Sequence, residues 1–325
     1  MSDALAAWVF DDESARAAAA VALEAVAEEP TDIEPITRGN RKETAIARFP
    51  NRGPVVVQVA AEPAWIRTEG ALLRTIRERT FVPVPPVLAA GTHAGVGYTL
   101  TAYVAGGDLH ERFHAVGPST RRELVRWFGA ALARLHDAFT FEAYGRLTVD
   151  GGGFAATQTE WPAWFESYGT RAVDRLPPAF DDLAADLLAV VGSLSANADA
   201  ADHTPRLFPW DFRPGNALVA DGSVTAVLDW EAPLSAAPAL SVAKTEYLVA
   251  DWYVADPAPL RAAFREGYRS VRAMPSVEPA HRVAAIAASA VDAAGRVTNP
   301  RYPPVGRDAA VAFHREALEG VLASV

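Results

Sequence analysis

The spacing of hydrophobic and polar positions along the chain changes more than once. Residues 2–29 carry Ala, Leu and Val at helical spacing with Glu between them, which predicts one or two helices that end at Pro30. From residue 33 to residue 61 the spacing becomes that of short β-strands, separated by turns that contain Gly, Pro and Asn. The predicted strands are Ile33–Ile36, Glu43–Phe49 and Val55–Ala60.

Helical spacing returns over Pro63–Arg79, and a proline-rich link then leads to an apolar strand over Tyr98–Val104. Gly106-Gly107 follow that strand and break it, and helical patterns dominate the rest of the chain. We therefore place a boundary near Gly106. It separates a β-sheet part in residues 1–105 from a larger helical part in residues 106–325.

The helical part is predicted from apolar positions that recur three and four residues apart. Its first long helix opens at Thr120-x-x-Glu123, which has the pattern of a capping box. Further helices are predicted from Thr159, and over Asp181–Ser195, Ala239–Trp252, Pro259–Val271, Glu278–Ala294 and Asp308–Leu322.

One segment of the helical part, residues 207–231, has the pattern of a β-hairpin instead. Apolar runs over Ala217–Ala220 and Val224–Leu228 flank Asp221-Gly222, and Asp-Gly between β-forming residues is a preferred two-residue turn. Pro214-Gly215 predicts a tight turn just before the first of these strands.

The hairpin is flanked by three polar side chains, Asp211, Asn216 and Asp229. Because antiparallel strands bring their outer ends together, we expect Asn216 and Asp229 to be neighbours, with Asp211 close by. A divalent cation on phosphate prefers oxygen ligands such as one carboxylate and one amide carbonyl, and a second carboxylate can accept a hydroxyl proton. The alternative from the residues alone is a surface hairpin whose Asp and Asn merely favour turns.

Composition and charge narrow the classes of function. The chain has 325 residues, of which 30 are Lys or Arg and 40 are Asp or Glu, for a net charge of −10. An excess of acidic residues argues against nucleic-acid binding, and no apolar run reaches the roughly 18 residues of a membrane span. The N-terminus lacks the pattern of a signal peptide, and the chain has 0 cysteines. We therefore expect a cytoplasmic, monomeric enzyme with no nucleic-acid or membrane partner.

Asp211-x-x-x-x-Asn216, the hairpin and the Leu-Asp-Trp-Glu sequence that ends at Glu231 together resemble the catalytic core of the aminoglycoside phosphotransferase-like kinases. This family includes choline, homoserine and fructosamine kinases. The resemblance implies an α+β, bilobal protein-kinase-like fold, with a small, mostly antiparallel β-sheet N-lobe and a larger helical C-lobe. It also implies ATP and Mg²⁺ as cofactors and a small-molecule acceptor of the aminoglycoside, choline or sugar type. Asp211 would be the catalytic base, and Asn216 and Asp229 the magnesium ligands.

The resemblance extends to the nucleotide and acceptor sites. In the family, a lysine on the third strand holds the phosphates and pairs with a glutamate on the next helix. Glu69 matches the glutamate, but Gln58 stands where the lysine is expected. The nucleotide-site candidates are Gln58, Glu69, Lys42, the turn at Gly39, and the hinge residues Tyr103, Val104 and Ala105. The candidates near the acceptor are Glu231, which would line the site or brace the loop, and Trp164.

The chain departs from the family pattern at three places. Besides Gln58, Pro209-Trp210 replace the His-Gly that precedes the catalytic aspartate, and residues 235–240 replace a Gly-Asp-Pro-x-x-Asp stretch. Two alternatives follow. Either another cation, such as Lys42 or Arg48, takes over the role of the lysine, or the protein is a pseudokinase-type module that binds nucleotide weakly or not at all and regulates rather than catalyses.

A different chemistry is suggested by His110-Glu111-x-x-His114, which fits the HExxH pattern of zinc hydrolases. In that pattern two imidazoles on one helical face bind zinc and the glutamate acts as general base. The helix available here is short and a third ligand is not evident. We therefore treat zinc hydrolysis as a remote alternative.

Overall fold

The computed structural model describes residues 10, 12–36, 41–150, 152–194 and 203–325. Contacts divide the chain into two units. Unit 1 contains residues 1–106, 147–155 and 225–233, and unit 2 contains residues 107–146, 156–224 and 234–325.

In chain order, the first elements are α1 (Glu13–Glu24), β1 (Asp32–Ile36), β2 (Glu43–Arg48), β3 (Val55–Ala60), α2 (Pro63–Arg79), β4 (Val87–His93), β5 (Val96–Ala102), β6 (Gly107–Asp108), α3 (Leu109–Arg112), α4 (Pro118–Ala138), β7 (Gly145–Arg146), β8 (Thr148–Asp150) and β9 (Gly153–Ala155). The remainder are α5 (Trp161–Asp174), a 3₁₀ turn (Pro178–Phe180), α6 (Asp181–Gly192), β10 (Arg206–Phe208), a second 3₁₀ turn (Pro214–Asn216), β11 (Ala217–Ala220), β12 (Ser223–Val227), β13 (Leu234–Ala236), α7 (Pro238–Glu246), a π-helical turn (Tyr247–Asp251), α8 (Ala258–Arg269), α9 (Pro279–Ala290) and α10 (Arg307–Leu322).

Unit 1 is built on a five-stranded antiparallel sheet in the order β1-β2-β3-β5-β4. Side chains alternate between the two faces of a strand, and β3 shows this clearly. Val55, Val57 and Val59 are buried in the same core cluster as the alanine-rich face of α1, while Val56 and Gln58 lie on the other face. The sequence of β3 therefore directs one face of the sheet to the core and the other to the candidate active site.

Unit 2 is mainly helical, and its short strands form small antiparallel sheets. One such sheet has the order β10-β13-β7, and in another β11 pairs with β6. The expected α+β fold, with an antiparallel sheet in the N-terminal part and a helical C-terminal part, is confirmed. Among the described residues, no helix has the length and apolar character needed to cross a membrane.

The predicted hairpin is present. Asp221 and Gly222 both adopt positive φ, 50° and 77°, as a type I′ turn requires. Glycine accepts this conformation without strain and aspartate is among the residues that tolerate it, so these two residues fix the turn locally.

Several predicted boundaries were wrong. α4 begins at Pro118 with Gly117 as its N-cap and no side-chain cap, so the Thr120 capping box is absent; proline suits the first helical position because its φ is already helical. β5 ends at Ala102, before Val104. β4 was missed, since its Ala-Ala-Gly-Thr centre lacks the β-branched alternation that marks a strand.

Some of the predicted helices are also shorter than expected. α1 ends at Glu24, well before Pro30, and residues 2–9 lie outside the described part of the chain. α7 ends at Glu246 and continues as the π-helical turn, which the spacing of apolar residues does not reveal because every residue of both segments is buried.

Candidate active site

Lys42 lies at the centre of a charged cluster in unit 1. Its Nζ donates hydrogen bonds to both carboxylate oxygens of Glu69, at 3.1 and 2.9 Å. It also lies 3.5 Å from Oδ1 of Asp229 and 3.6 Å from Oε2 of Glu231. Lys42 therefore pairs with the glutamate that the resemblance assigns to the nucleotide-site lysine.

The sheet register explains how Lys42 reaches Glu69. Lys42 directly precedes β2, two positions before Thr44, and Thr44 is the cross-strand partner of Gln58 on β3. Residues two apart on a strand lie on the same face, so Lys42, Thr44 and Gln58 lie on one side of the sheet. Gln58 Nε2 donates to Thr44 Oγ1 at 3.4 Å. Lys42 therefore lies beside β2, the neighbour of the strand on which the resemblance places the lysine.

The neighbours of Lys42 keep it charged. Burial lowers the pKa of its ammonium, but the charges of Glu69, Asp229 and Glu231, together with the hydrogen bonds from Lys42 to Glu69, outweigh burial, and the pKa is raised above the ordinary 10.5. The Lys42 side chain is 10% exposed and that of Glu69 is 4% exposed. A buried charged pair of this kind offsets its loss of hydration only if the two groups are well aligned and hydrogen-bonded.

Glu69 connects three parts of unit 1. It lies on α2, binds Lys42 beside β2, and accepts the backbone N–H of Trp230 at 3.1 Å. Trp230 follows Asp229, whose φ of 60° lies in the left-handed region that few residues other than glycine occupy. The Asp229 side chain is 44% exposed, so its carboxylate remains accessible to a ligand.

The other candidates of unit 1 lie in varied surroundings. Glu231 contacts Arg41 at 3.5 Å in addition to Lys42, so it braces this cluster. In the predicted hinge, Tyr103 is exposed and its N–H donates to Pro54 O at 3.1 Å, while Ala105 O accepts Thr225 Oγ1 at 3.2 Å. Val104, between them, is half-buried and follows the end of β5. Gly39 lies outside the described residues.

Asp211 and Asn216 lie together in unit 2. Asn216 Nδ2 donates to the backbone O of Asp211 at 2.9 Å and to its Oδ2 at 3.1 Å. Arg213 Nε donates to Asp211 Oδ1 at 2.8 Å. The tight 3₁₀ turn Pro214–Asn216 returns the chain to Asp211 and makes these contacts possible.

The Asp211 carboxyl is held in its charged form. Burial raises its pKa, but the positive charges of Arg213 and Lys244 and the hydrogen bonds from Arg213 and Asn216 outweigh burial, so the pKa lies below the ordinary 3.8. Asp211 is therefore an ionised hydrogen-bond acceptor at neutral pH, oriented by two fixed donors.

Lys244 lies under this loop and was missed by the sequence analysis as a site residue. It is 2% exposed, its Nζ lies 4.0 Å from the centre of the Trp210 ring, and it donates to Ala288 O at 3.2 Å. Burial lowers its pKa from 10.5 to about 8, although Asp211 acts in the opposite direction. Trp210, which replaces a glycine of the family pattern, thus covers a buried cation. The one signal in the sequence was that Lys42 and Lys244 are the only two lysines.

Trp164 belongs to a row of aromatic rings that ends at Trp210. It stacks on Trp161 at 5.5 Å and on Tyr168 at 5.3 Å, and Tyr168 meets Trp210 edge-on at 5.7 Å. Trp164 is 8% exposed. Its ring therefore supports the segment that carries Asp211 rather than presenting a free face.

The zinc alternative is not supported by the geometry. α3 ends at Arg112, before His114, so the helix does not hold the whole HExxH motif. His110 Nδ1 is hydrogen-bonded to the hydroxyl of Tyr253 at 2.6 Å, and the ring of His114 packs on that of Tyr302. In the part of the chain that the structure describes, no group of three or more His, Cys, Asp or Glu residues could hold a metal ion.

Comparison with known structures gives similar folds at low sequence identity. A thermostable mutant of the aminoglycoside phosphotransferase APH(4)-Ia, in a ternary complex with AMP-PNP and hygromycin B, is 14% identical, covers 94% of this chain and 98% of its own, and has a TM-score of 0.64. The macrolide 2′-phosphotransferase MphH from Brachybacterium faecium is 17% identical, covers 90% of this chain and 97% of its own, and has a TM-score of 0.55. A search of curated protein sequences finds no match.

The family comparison is more specific. The model of the APH family, described as the phosphotransferase enzyme family, matches residues 32–280. This range includes the Lys42 cluster, the segment from Asp211 to Asn216 and Lys244. The chain therefore belongs to the phosphotransferase enzyme family, as the resemblance of its hairpin segment indicated.

Proposed function

We propose that this protein transfers the γ-phosphoryl group of ATP to a hydroxyl group of a small molecule, with Mg²⁺ as cofactor. The pairing of Lys42 with Glu69 carries the proposal. A lysine held by a glutamate is the group that binds the α- and β-phosphates in kinases of this fold. Lys42 is charged and fixed by Glu69, so it is suited to that role.

Asp211 is proposed to orient the acceptor hydroxyl and accept its proton. It is ionised, and Arg213 and Asn216 fix its carboxylate through hydrogen bonds of 2.8 and 3.1 Å. Phosphoryl transfer depends mainly on positioning and charge stabilisation. A well-oriented carboxylate of low basicity is therefore an adequate proton acceptor.

Asn216 and Asp229 are proposed to bind Mg²⁺, and the residues present fit such an ion. Asn216 uses its amide nitrogen on Asp211, which leaves Oδ1 without a contact among the described residues. Asp229 contributes a half-exposed carboxylate. Each offers an oxygen ligand of the kind that magnesium prefers, and a bound ion would neutralise charge on the phosphates.

The second candidate is a pseudokinase-type protein without turnover, and Gln58 is the observation that favours it. A glutamine at this position of β3 offers a hydrogen bond but no charge to a triphosphate. Lys42 weakens this candidate, because it offers the missing charge on the same face of the sheet. We therefore propose a catalytic protein. The proposed acceptor is a hydroxyl compound of the aminoglycoside, choline or sugar type.

The test uses the purified protein with Mg²⁺, ATP and a pooled metabolite extract, and detects phosphorylated products by mass spectrometry. The variant is Asp229→Asn, with Asp221→Asn as its matched control, because both aspartates have positive φ and asparagine tolerates that conformation. We expect Asp229→Asn to lower turnover by at least about 100-fold, the scale typical for loss of one charge-stabilising group. Asp221→Asn should retain turnover.

Two results would contradict the proposal. Wild-type turnover by Asp229→Asn would remove the metal role. A folded wild-type protein that yields no product and shows no thermal stabilisation by Mg-ATP would favour the pseudokinase candidate.

A further inference from the structure

A cavity in unit 2 is lined by four arginines. Its volume is about 530 Å³, and its walls come from α7, the π-helical turn, α8, α9 and α10. The arginines are Arg261, Arg265, Arg282 and Arg301. Neither Asp211 nor Asn216 lines it, so this cavity is separate from the proposed catalytic residues of unit 2.

Two of these arginines share a buried carboxylate. Arg265 binds Glu246 through Nε at 2.6 Å and Nη2 at 3.0 Å, and Arg282 binds the same carboxylate through Nη1 at 3.1 Å. The Glu246 side chain is only 3% exposed, while the two arginines are 36% and 32% exposed. The buried carboxylate of Glu246 therefore fixes both guanidinium groups, and each guanidinium group remains partly exposed in the cavity.

Arg261 is held in the same way. It binds Asp251 through Nε at 2.7 Å and Nη2 at 2.6 Å. Asp251 ends the π-helical turn, and turns of this kind occur frequently at functional sites. A guanidinium group has five N–H donors, and these contacts leave the Nη1 groups of Arg261 and Arg265 without a partner among the described residues.

Arg301 adds a positive charge that is not bound directly by any carboxylate of the described residues. Its guanidinium donates to the backbone oxygens of Val254 at 2.8 Å and Pro300 at 3.3 Å, and it lies 4.8 Å from the centre of the Phe313 ring. The carboxylates in the lining are Glu246, Asp251 and Glu316. Four guanidinium groups against three carboxylates leave the lining with one net positive charge.

The lining of the cavity also contains apolar side chains. The rings of Tyr247 and Phe313 stack at 6.0 Å with an interplanar angle of 25°, and Ile286 and Val321 also line the cavity. Pockets for small molecules typically enclose several hundred Å³ and combine apolar walls with a few fixed polar groups. The volume and lining of this cavity match that description.

We propose that this cavity binds an anionic small molecule, whose carboxylate or phosphate group contacts the four arginines and whose apolar part packs on Tyr247 and Phe313. Pre-oriented guanidinium groups suit such oxyanions because they bind them through paired, charge-assisted hydrogen bonds. The simpler alternative is that the arginines only neutralise Glu246 and Asp251. This proposal does not depend on phosphotransferase activity.

The test measures binding of phenyl phosphate, benzoate and inorganic phosphate by calorimetry at constant ionic strength, with phenol as the uncharged control. Phenyl phosphate and benzoate contain both the anion and the apolar part, so both should bind more tightly than inorganic phosphate, and phenol should not bind. Comparison of the first two probes distinguishes a phosphate ligand from a carboxylate ligand.

Three variants separate the cavity from any other anion site. Gly320 lines the cavity, and a β-carbon there meets nothing within 4 Å, so Gly320→Leu should fill the space and abolish binding while leaving α10 intact. Arg282→Gln should weaken binding by about tenfold or more, and Glu316→Gln should strengthen it, because these changes remove charges of opposite sign. Arg307→Gln, at an exposed position of α10 outside the cavity, is the matched control and should have no effect.

Each failure has a definite meaning. No binding of any anionic probe, or binding that Gly320→Leu leaves unchanged, would overturn the proposal. Equal weakening by Arg282→Gln and Arg307→Gln would show only non-specific attraction, which also overturns it. The Asp229→Asn variant should bind the probes as the wild type does, so a failure of the proposed catalytic function leaves this test unaffected.

Discussion

Removal of the Lys42 ammonium group tests the electrostatics of unit 1 directly. In Lys42→Met, the Glu69 carboxylate loses both of its side-chain hydrogen bonds and keeps the backbone N–H of Trp230. The repulsion between Glu69, Asp229 and Glu231 is then no longer offset, since Lys42 lies within 3.6 Å of all three carboxylates. We expect a loss of both stability and nucleotide binding.

The burial of the Lys42–Glu69 pair sets the size of the expected loss in the free energy of unfolding. Breaking a buried ion pair by removing one partner costs about 3–5 kcal/mol, because a buried charge is left uncompensated. Glu69 is 4% exposed but keeps one hydrogen bond, so we place the loss in the free energy of unfolding near the lower end, at about 3 kcal/mol. Adding Glu69→Gln, which removes the charge and preserves an acceptor for Trp230, should recover about 2 kcal/mol of that loss.

The assay is urea unfolding of the wild type, the two single variants and the double variant. Arg48→Met is the matched control: Arg48 lies at the other end of β2, and its pair with Glu34 is 48% and 58% exposed. An exposed pair of this kind contributes at most about 1 kcal/mol. If Lys42→Met costs no more than Arg48→Met, or if Glu69→Gln adds to the loss in the Lys42→Met background instead of relieving it, then Lys42 and Glu69 do not form a buried ion pair.

Two further predictions follow from the lysines. Gln58→Lys alone should add little nucleotide affinity, because Lys42 is proposed to supply the charge already. In the Lys42→Met background it should restore Mg-ATP binding as measured by calorimetry; restoration would fail if Gln58 faced away from the nucleotide. In the folded chain the pKa of Lys244 is lowered to about 8, so the unfolded chain binds more protons than the folded chain between pH 8 and 10.5. The free-energy cost of burying the charged ammonium group is therefore full below pH 8 and decreases as the pH rises. Lys244→Met should therefore be more stable than the wild type at pH 7 by roughly 3 kcal/mol, and urea unfolding should show the difference shrinking towards pH 10; a difference independent of pH would refute the assignment.

The features that were predicted correctly depend on neighbours in the chain. The turn at Asp221-Gly222 is fixed by the conformations those two residues permit, and the bounds of β3 and α2 follow from the period of their apolar positions. Asp211 and Asn216 are five residues apart, so a single tight turn is enough to bring them into contact. The conformational preferences of neighbouring residues determine such features, because few long-range contacts oppose those preferences.

The features that the sequence left open or did not reveal depend on residues far apart in the chain. Lys42 contacts Glu69 across 27 residues and Asp229 across 187. No local pattern therefore shows that Lys42, and not Arg48, is the partner of Glu69. Lys244 lies in a helix whose residues are all buried, and its position beneath Trp210 depends on the packing of two distant segments. A charged residue in an apolar helix indicates a special role, but the residues that it contacts determine what that role is.

The choice between lysine and arginine has a physical cause in this chain. Arg261 and Arg265 each bind one carboxylate through two parallel hydrogen bonds, which the planar guanidinium group makes and an ammonium group does not. Lys42, by contrast, must approach three carboxylates from a single point, and Lys244 must fit over the face of Trp210 in a space that leaves it 2% exposed. A compact charge meets both demands and a flat, wider group does not. A chain that otherwise uses arginine for its cations therefore keeps lysine at the two positions where the geometry requires a point charge, and both positions lie next to residues proposed to act in phosphoryl transfer.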